Sequence, residues 1–235
     1  YNERLTEKDI NFIHEDDELK IHQAELKYKF MNNAEVLLHG DLHTGSIMAD
    51  AEKTFVIDPE FAFFGPAGFD VALFIGNMFL AYFAHAHRQT LLGNDPSEYR
   101  TWILDQIRET WNKFEVKFES YWKEHVEAEK DLFWDYPGGE KAHAEYRRRN
   151  IARIFDDAMG IAGSVMIRRI LGLAKVSDIA DIEDLDARAE VERMGLRMGR
   201  ELIINHSKYT TIESVADLAT GISPADQAVP ASSAT

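Results

Sequence analysis

Two short apolar runs, each closing on an acid, interrupt a polar first third of the chain: "VLLHGD" at Val36–Asp41 and "TFVID" at Thr54–Asp58. The second is rich in β-branched and aromatic residues, and both read as strands. Joined by "LHTGSIMADAEK", they are expected to pair as a small hairpin. Before them, "TEKD" at Thr6–Asp9 has the form of a capping box, a short helix is expected near Leu19–Phe30, and "MNNAE" reads as a turn. Beyond Gly68 the period changes. "VALFIGNMFLAYFA", Val71–Ala84, is apolar on all sides and is expected to be a core helix, because fourteen residues are too few to cross a bilayer. From Tyr99 to Lys130, Ile103, Ile107, Trp111, Phe114, Phe118 and Trp122 recur at spacings of 4, 4, 3, 4 and 4, one face of a long amphipathic helix.

"DYPGGEK", Asp135–Lys141, should break that helix. A second long helix is predicted from about Ala142 to Leu173, with Ile154, Ala158, Ile161 and Val165 on one face. Gly160 and Gly163 lie inside it, where each costs about 1 kcal/mol relative to alanine. Close approach of another backbone would explain that cost. A further helix is expected over Ile182–His206, and the closing "GISPADQAVPASSAT" reads as a disordered tail. There is no internal repeat. The predicted class is α+β, mostly α-helical: a small strand pair that helices must cover, since so few strands cannot bury both faces themselves.

Composition narrows the function. Apolar residues make up 45 % of 235 positions, enough for a sizeable core. A net charge of −15 argues against a nucleic-acid partner, which is bound by excess lysine and arginine. The absence of cysteine excludes disulfides and thiolate metal sites, and fits a reducing cytoplasm. No charged-then-apolar signal segment opens the chain at Tyr1, and no membrane partner is expected.

The acids at the strand ends admit three readings. His39, Asp41 and His43 form an H-x-D-x-H pattern that, with Asp58, has the donors for a hydrolytic metal site. The pair at "HAH", His85–His87, reads instead as a polar helix terminus. Alternatively, Gly-Asp and Asp-Pro are ordinary turn dipeptides, and the acids are solvated. The third reading is phosphoryl transfer, which needs one carboxylate beside a hydroxyl nucleophile and others to hold Mg²⁺ on nucleotide phosphates. Asp41 would take the first role; Asp58, followed by Pro59 and Glu60, would take the second.

The combination "LLHGDLHTGSI" and "VIDPEFAFFGPAGFD" resembles the 5-methylthioribose kinases, relatives of aminoglycoside and choline kinases with a protein-kinase-like fold. The resemblance implies the carboxy-terminal lobe of that fold, with Asp41 as the catalytic aspartate, acting as base, and Asp58 and Glu60 as Mg²⁺ ligands. Ser46 stands where the wider group carries asparagine, at the nucleotide–metal side of the site, which shifts metal binding toward Glu60. "GIAGSVMIRRILGLAKVSDI", Gly160–Ile179, resembles the family's paired-arginine segment, so Arg168 and Arg169 would face the sugar and the transferred phosphate. Taken as composition alone, the two are solvated arginines on a helix surface; so is the cluster Arg147–Arg149. Asp70 is expected to cap the apolar helix at Val71, with a second role in orienting the catalytic loop. Phe61, Phe63 and Phe64 read as core or pocket wall.

The expected organisation is a catalytic and substrate-binding lobe over residues 1–221 and a disordered tail over 222–235. No G-x-G-x-x-G loop or lysine-bearing strand precedes His39, and 38 residues are too few for the amino-terminal nucleotide lobe. The chain is therefore expected to be a lobe without turnover of its own. What the resemblance implies is ATP and methylthioribose as substrates, Mg²⁺ as cofactor and a homodimer. A kinase of another small alcohol and a non-catalytic binding lobe are the alternatives.

Overall fold

The computed structural model describes residues 2–125, 130–133 and 136–224. Helix α1 (Glu7–His14) begins at the predicted capping box: the Thr6 side chain accepts from the Asp9 amide and the Asp9 carboxylate accepts from that of Thr6. Helix α2 (Asp17–Asn32) follows, capped by Asp16 and longer than predicted. Four three-residue strands come next: β1 (Val36–Leu38), β2 (Ile47–Ala49), β3 (Thr54–Val56) and β4 (Phe63–Gly65).

Their pairing differs from the expected hairpin. β2 pairs antiparallel with β3, Met48 opposite Phe55, whereas β1 pairs antiparallel with β4, Leu37 opposite Phe64. The turn chemistry explains the difference. The Asp50 side chain accepts from the Glu52 and Lys53 amides and closes a tight turn inside the segment predicted as a loop, which leaves "VLL" to find "FFG". β3 is exposed throughout, and in β1 only Leu38 is fully buried.

Helix α3 (Phe69–Leu91) is the core. By length and composition it could cross a membrane, but it is largely enclosed by α4 (Pro96–Glu124), α6 (Gly139–Leu171) and α8 (Leu185–Asn205). The predicted face of α4 points inward, with Ile103, Ile107 and Trp111 buried and Phe114 and Phe118 packed beside them. His87 is buried inside α3 rather than lying at a polar terminus. The short α5 (Lys130–Phe133) and α7 (Ser177–Ala180) fill connections. Asp135, where the predicted break begins, lies outside the described residues; Gly138 in that break is left-handed and precedes α6.

Of the two glycines inside α6, Gly163 has the predicted cause, whereas a Cβ on Gly160 would meet the Leu26 side chain at 2.9 Å and no neighbouring backbone. A Cβ on Gly163 would lie 2.5 Å from the Gly199 carbonyl oxygen of α8, and one on Gly199 would lie 2.9 Å from that of Gly163. The two helices thus cross backbone to backbone. Helix α9 (Ile212–Ile222) was not predicted; Ile212, Val215, Ala216 and Ala219 bury one face of it. Residues 225–235 of the predicted tail lie outside the described residues. Ser223 and Pro224 are held by buried Arg100, whose guanidinium donates to the Ser223 oxygens at 2.6 and 2.8 Å and to the Pro224 carbonyl at 2.7 Å. Of the basic cluster, Arg148 and Arg149 are exposed on Glu145, whereas Arg147 is buried against His143.

Candidate active site

Asp41 sits three residues past β1, on a loop whose amides at His39, Gly40 and Asp41 are all bound by side chains. Gly40 is left-handed at φ +87°, and a Cβ there would lie 2.2 Å from the Phe61 carbonyl oxygen, so only glycine fits. Asp70, in the first turn of α3, accepts from the His39 amide at 2.6 Å and the Gly40 amide at 3.0 Å. It is not the helix cap, which is Gly68 without a side-chain bond. Its carboxylate is committed to the loop instead.

His39 ties this loop to the next. Its Nδ1 lies 3.3 Å from the Asp41 amide, which can only donate, so Nε2 carries the proton and donates to the Ile57 carbonyl at 2.8 Å. Both ring nitrogens are thereby occupied by backbone, and His39 is a brace. This removes the H-x-D-x-H metal reading, and no cluster of three potential ligands occurs among the described residues. Ser46 is buried: its hydroxyl donates to the Asp41 carbonyl at 2.8 Å, and its own carbonyl accepts from the Ile57 amide at 3.0 Å. It braces the same two loops.

A cavity of about 1060 Å³ opens beside Gly40 and Asp41. Phe30, Phe63 and Phe69 form one wall, their ring centroids 5.2 to 5.7 Å apart. Lys20 and Lys27 of α2 and Arg168 of α6 also line it, and Asp41 is its only acid. No described carboxylate forms an ion pair with Arg168. Arg169 is about nine-tenths buried, with Nη2 3.8 Å from Asp41 Oδ1 and Nε unpartnered. Burial and the adjacent Arg168 charge push its pKa down, and Asp41 opposes them. A guanidinium so placed favours arrival of an anion.

Asp58 and Glu60 do not line this cavity and are exposed. Asp58 is the single non-glycine residue with positive φ among those described, at +67°. Such backbone strain concentrates where a side chain must be aimed. Two exposed carboxylates on one turn suit Mg²⁺, which keeps several waters and takes one or two carboxylates. Phe61 and Phe63 are cavity wall, as read, while Phe64 is exposed. The expected role of Asp70 in orienting the loop is met, through contacts about 30 residues apart, whereas the lysines of α2 had no local signal in sequence.

Residues 3–108 match the phosphotransferase enzyme family. The chain is 39 % identical over 214 residues to methylthioribose kinase 1 of Oryza sativa subsp. japonica, covering 89 % of this chain and 49 % of that one. It is 40 % identical over 206 residues to methylthioribose kinase of Geobacillus kaustophilus (87 % and 47 %), and 39 % over 194 residues to that of Escherichia coli O45:K1 (80 % and 45 %). The chain spans about half the length of the curated relatives it matches. By sequence, this chain, a helical body carrying small strand pairs, is similar to methylthioribose kinases over about half of their length.

Proposed function

We propose that the chain is the catalytic and substrate-binding lobe of a methylthioribose kinase, over residues 1–221. The observation that carries this reading is the Asp41 carboxylate at the mouth of a cavity whose other charged groups are cationic, on a loop pinned by Asp70 and His39. In the reaction the oxygen of the C1 hydroxyl bonds to the γ-phosphorus of ATP as the bond from that phosphorus to the β–γ bridging oxygen breaks. Asp41 accepts the hydroxyl proton, and ADP leaves. Positioning and charge neutralisation supply most of the catalysis in such transfers. Arg168 and Arg169 place the sugar and balance charge on the moving phosphoryl group. Asp58 and Glu60 would hold Mg²⁺, which when bound neutralises the nucleotide phosphates. Ser46 keeps the nucleotide side of the loop in place.

The remaining contacts to ATP belong to the half of the relatives that this chain does not match, so the chain alone is expected to show no turnover. The reading carries with it a cytoplasmic homodimer. It is tested by joining the chain to the amino-terminal half of a similar methylthioribose kinase and offering a panel of small alcohols with ATP. Phosphorylation of methylthioribose ahead of aminoglycosides and choline is expected. Asp41→Asn should abolish turnover while nucleotide binding persists, and Asp58→Ala should weaken Mg²⁺–nucleotide binding by calorimetry. Near-normal turnover of Asp41→Asn would remove Asp41 from the mechanism.

A further inference from the structure

His43 lies two residues beyond Asp41, and neither brace described above uses it. Its imidazole makes two different contacts. Nδ1 is 2.9 Å from the Gly45 amide, and Nε2 is 3.4 Å from Asp41 Oδ2. The amide can only donate, so Nδ1 must be the acceptor and Nε2 bears the proton, on the side of the ring that faces the carboxylate. The other oxygen of the same carboxylate faces Arg169 at 3.8 Å. The two oxygens of Asp41 thus each face a donor group, His43 and Arg169, at ion-pair distance.

The turn that follows is shaped around the ring. Thr44–Ser46 forms one turn of 3₁₀ helix with His43 as its cap. Capping alone is served best by asparagine, aspartate or serine, whose short side chains reach only the turn. Histidine does the same with Nδ1 and reaches beyond it with Nε2. The imidazole also rests over Gly45: a Cβ there would lie 2.8 Å from His43 Cε1 and 3.0 Å from Nδ1. Ser46 closes the turn onto the Asp41 carbonyl. Two residues of this turn therefore meet one aspartate, His43 at its side chain and Ser46 at its backbone.

We propose that His43 is a positioning residue, which orients the Asp41 carboxylate toward the cavity through its Nε2–H while Gly45 holds the ring in the required tautomer. The functional meaning rests on Asp41 as acceptor of the hydroxyl proton; the geometry does not. Long-range ¹H–¹⁵N correlation spectra of the labelled chain test it without any turnover. Wild type should show His43 as the Nε2–H tautomer with an observable Hε2. Asp41→Ala should lose that Hε2 signal to solvent exchange while the tautomer persists. His43→Asn keeps the cap but cannot reach Asp41, and Gly45→Ala displaces the ring without touching a polar group. Both should shift the Asp41 ¹³Cγ resonance by more than that of Asp58, and His43→Gln, with an amide nitrogen near the Nε2 position, should bring it back toward wild type. An Nδ1–H tautomer, or an Asp41 resonance unmoved in both His43→Asn and Gly45→Ala, would overturn the proposal. Failure of Asp41→Asn to impair turnover would instead overturn the role of Asp41 and leave this geometry standing.

Discussion

Replacing Asp70 with alanine removes the acceptor of two backbone amides, His39 at 2.6 Å and Gly40 at 3.0 Å. Hydrogen bonds to a charged group contribute about 1.5–3 kcal/mol each, and an amide left unpaired in a partly buried site costs about 1–3 kcal/mol. Both bonds are only part-buried, so the low end applies to each, and the substitution should cost about 3 kcal/mol. For a domain of this size, that is a fall in Tm of roughly 6–12 °C. Asp70→Asn keeps one carbonyl oxygen and should cost about half as much, near 1.5 kcal/mol. Urea unfolding gives the global figure. Amide exchange gives the local one: protection at His39 and Gly40 should fall at least about tenfold, more than at residues in the middle of α3. An Asp70→Ala chain within about 0.5 kcal/mol of wild type, a change typical of a neutral surface site, with unaltered exchange at both amides would refute this account of the loop.

Three further outcomes follow from the packing. Gly163→Ala should destabilise by about 2 kcal/mol, the overpacking against the Gly199 carbonyl less roughly 1 kcal/mol gained in helix propensity. Gly221→Ala in α9, where a Cβ meets nothing within 4 Å, should stabilise by a few tenths to about 1 kcal/mol, and thermal melts of the pair give opposite signs. Asp157→Ala should cost about 3 kcal/mol in urea, because buried Asp157 neutralises both Lys29 and Arg153, and Arg153 in turn binds Glu35 beside β1. Tyr209, raised to about 12 by burial and its bond to Glu201, favours folding below pH 10. That contribution, on the order of 1 kcal/mol after screening, is lost as pH rises from 10 to 12, and Tyr209→Phe should flatten stability over that window.

The helical body was legible where periodicity was long. The face from Ile103 to Trp111 and the apolar run of α3 needed nothing beyond spacing, and Gly163 announced a close helix approach because nothing else offsets its cost in a helix interior. The strands were not. With three residues each, their partners are chosen by turns, and the turn at Asp50 decides that β2 takes β3. Helix α9 carried the pattern Ile212, Val215, Ala216, Ala219 at helical spacing but was overlooked against the small, polar end of the chain. At the site, it was the family resemblance that pointed to Asp41 and the paired arginines. The sequence offered Asp70 a role in orienting the loop but could not say which amides it takes, since that pairing joins residues about 30 apart. Nor could it show that Asp58 and Glu60 lie on an exposed face, outside the cavity that Asp41 and Arg168 share.

The central claim is that this cavity receives a sugar at Asp41, and titration of the labelled chain with methylthioribose, read by NMR, tests it most directly. The account predicts saturable shifts centred on Gly40, Asp41 and Arg168, abolished by Arg168→Ala in a chain that remains folded. Shifts absent from those residues, or unchanged by Arg168→Ala, would contradict it.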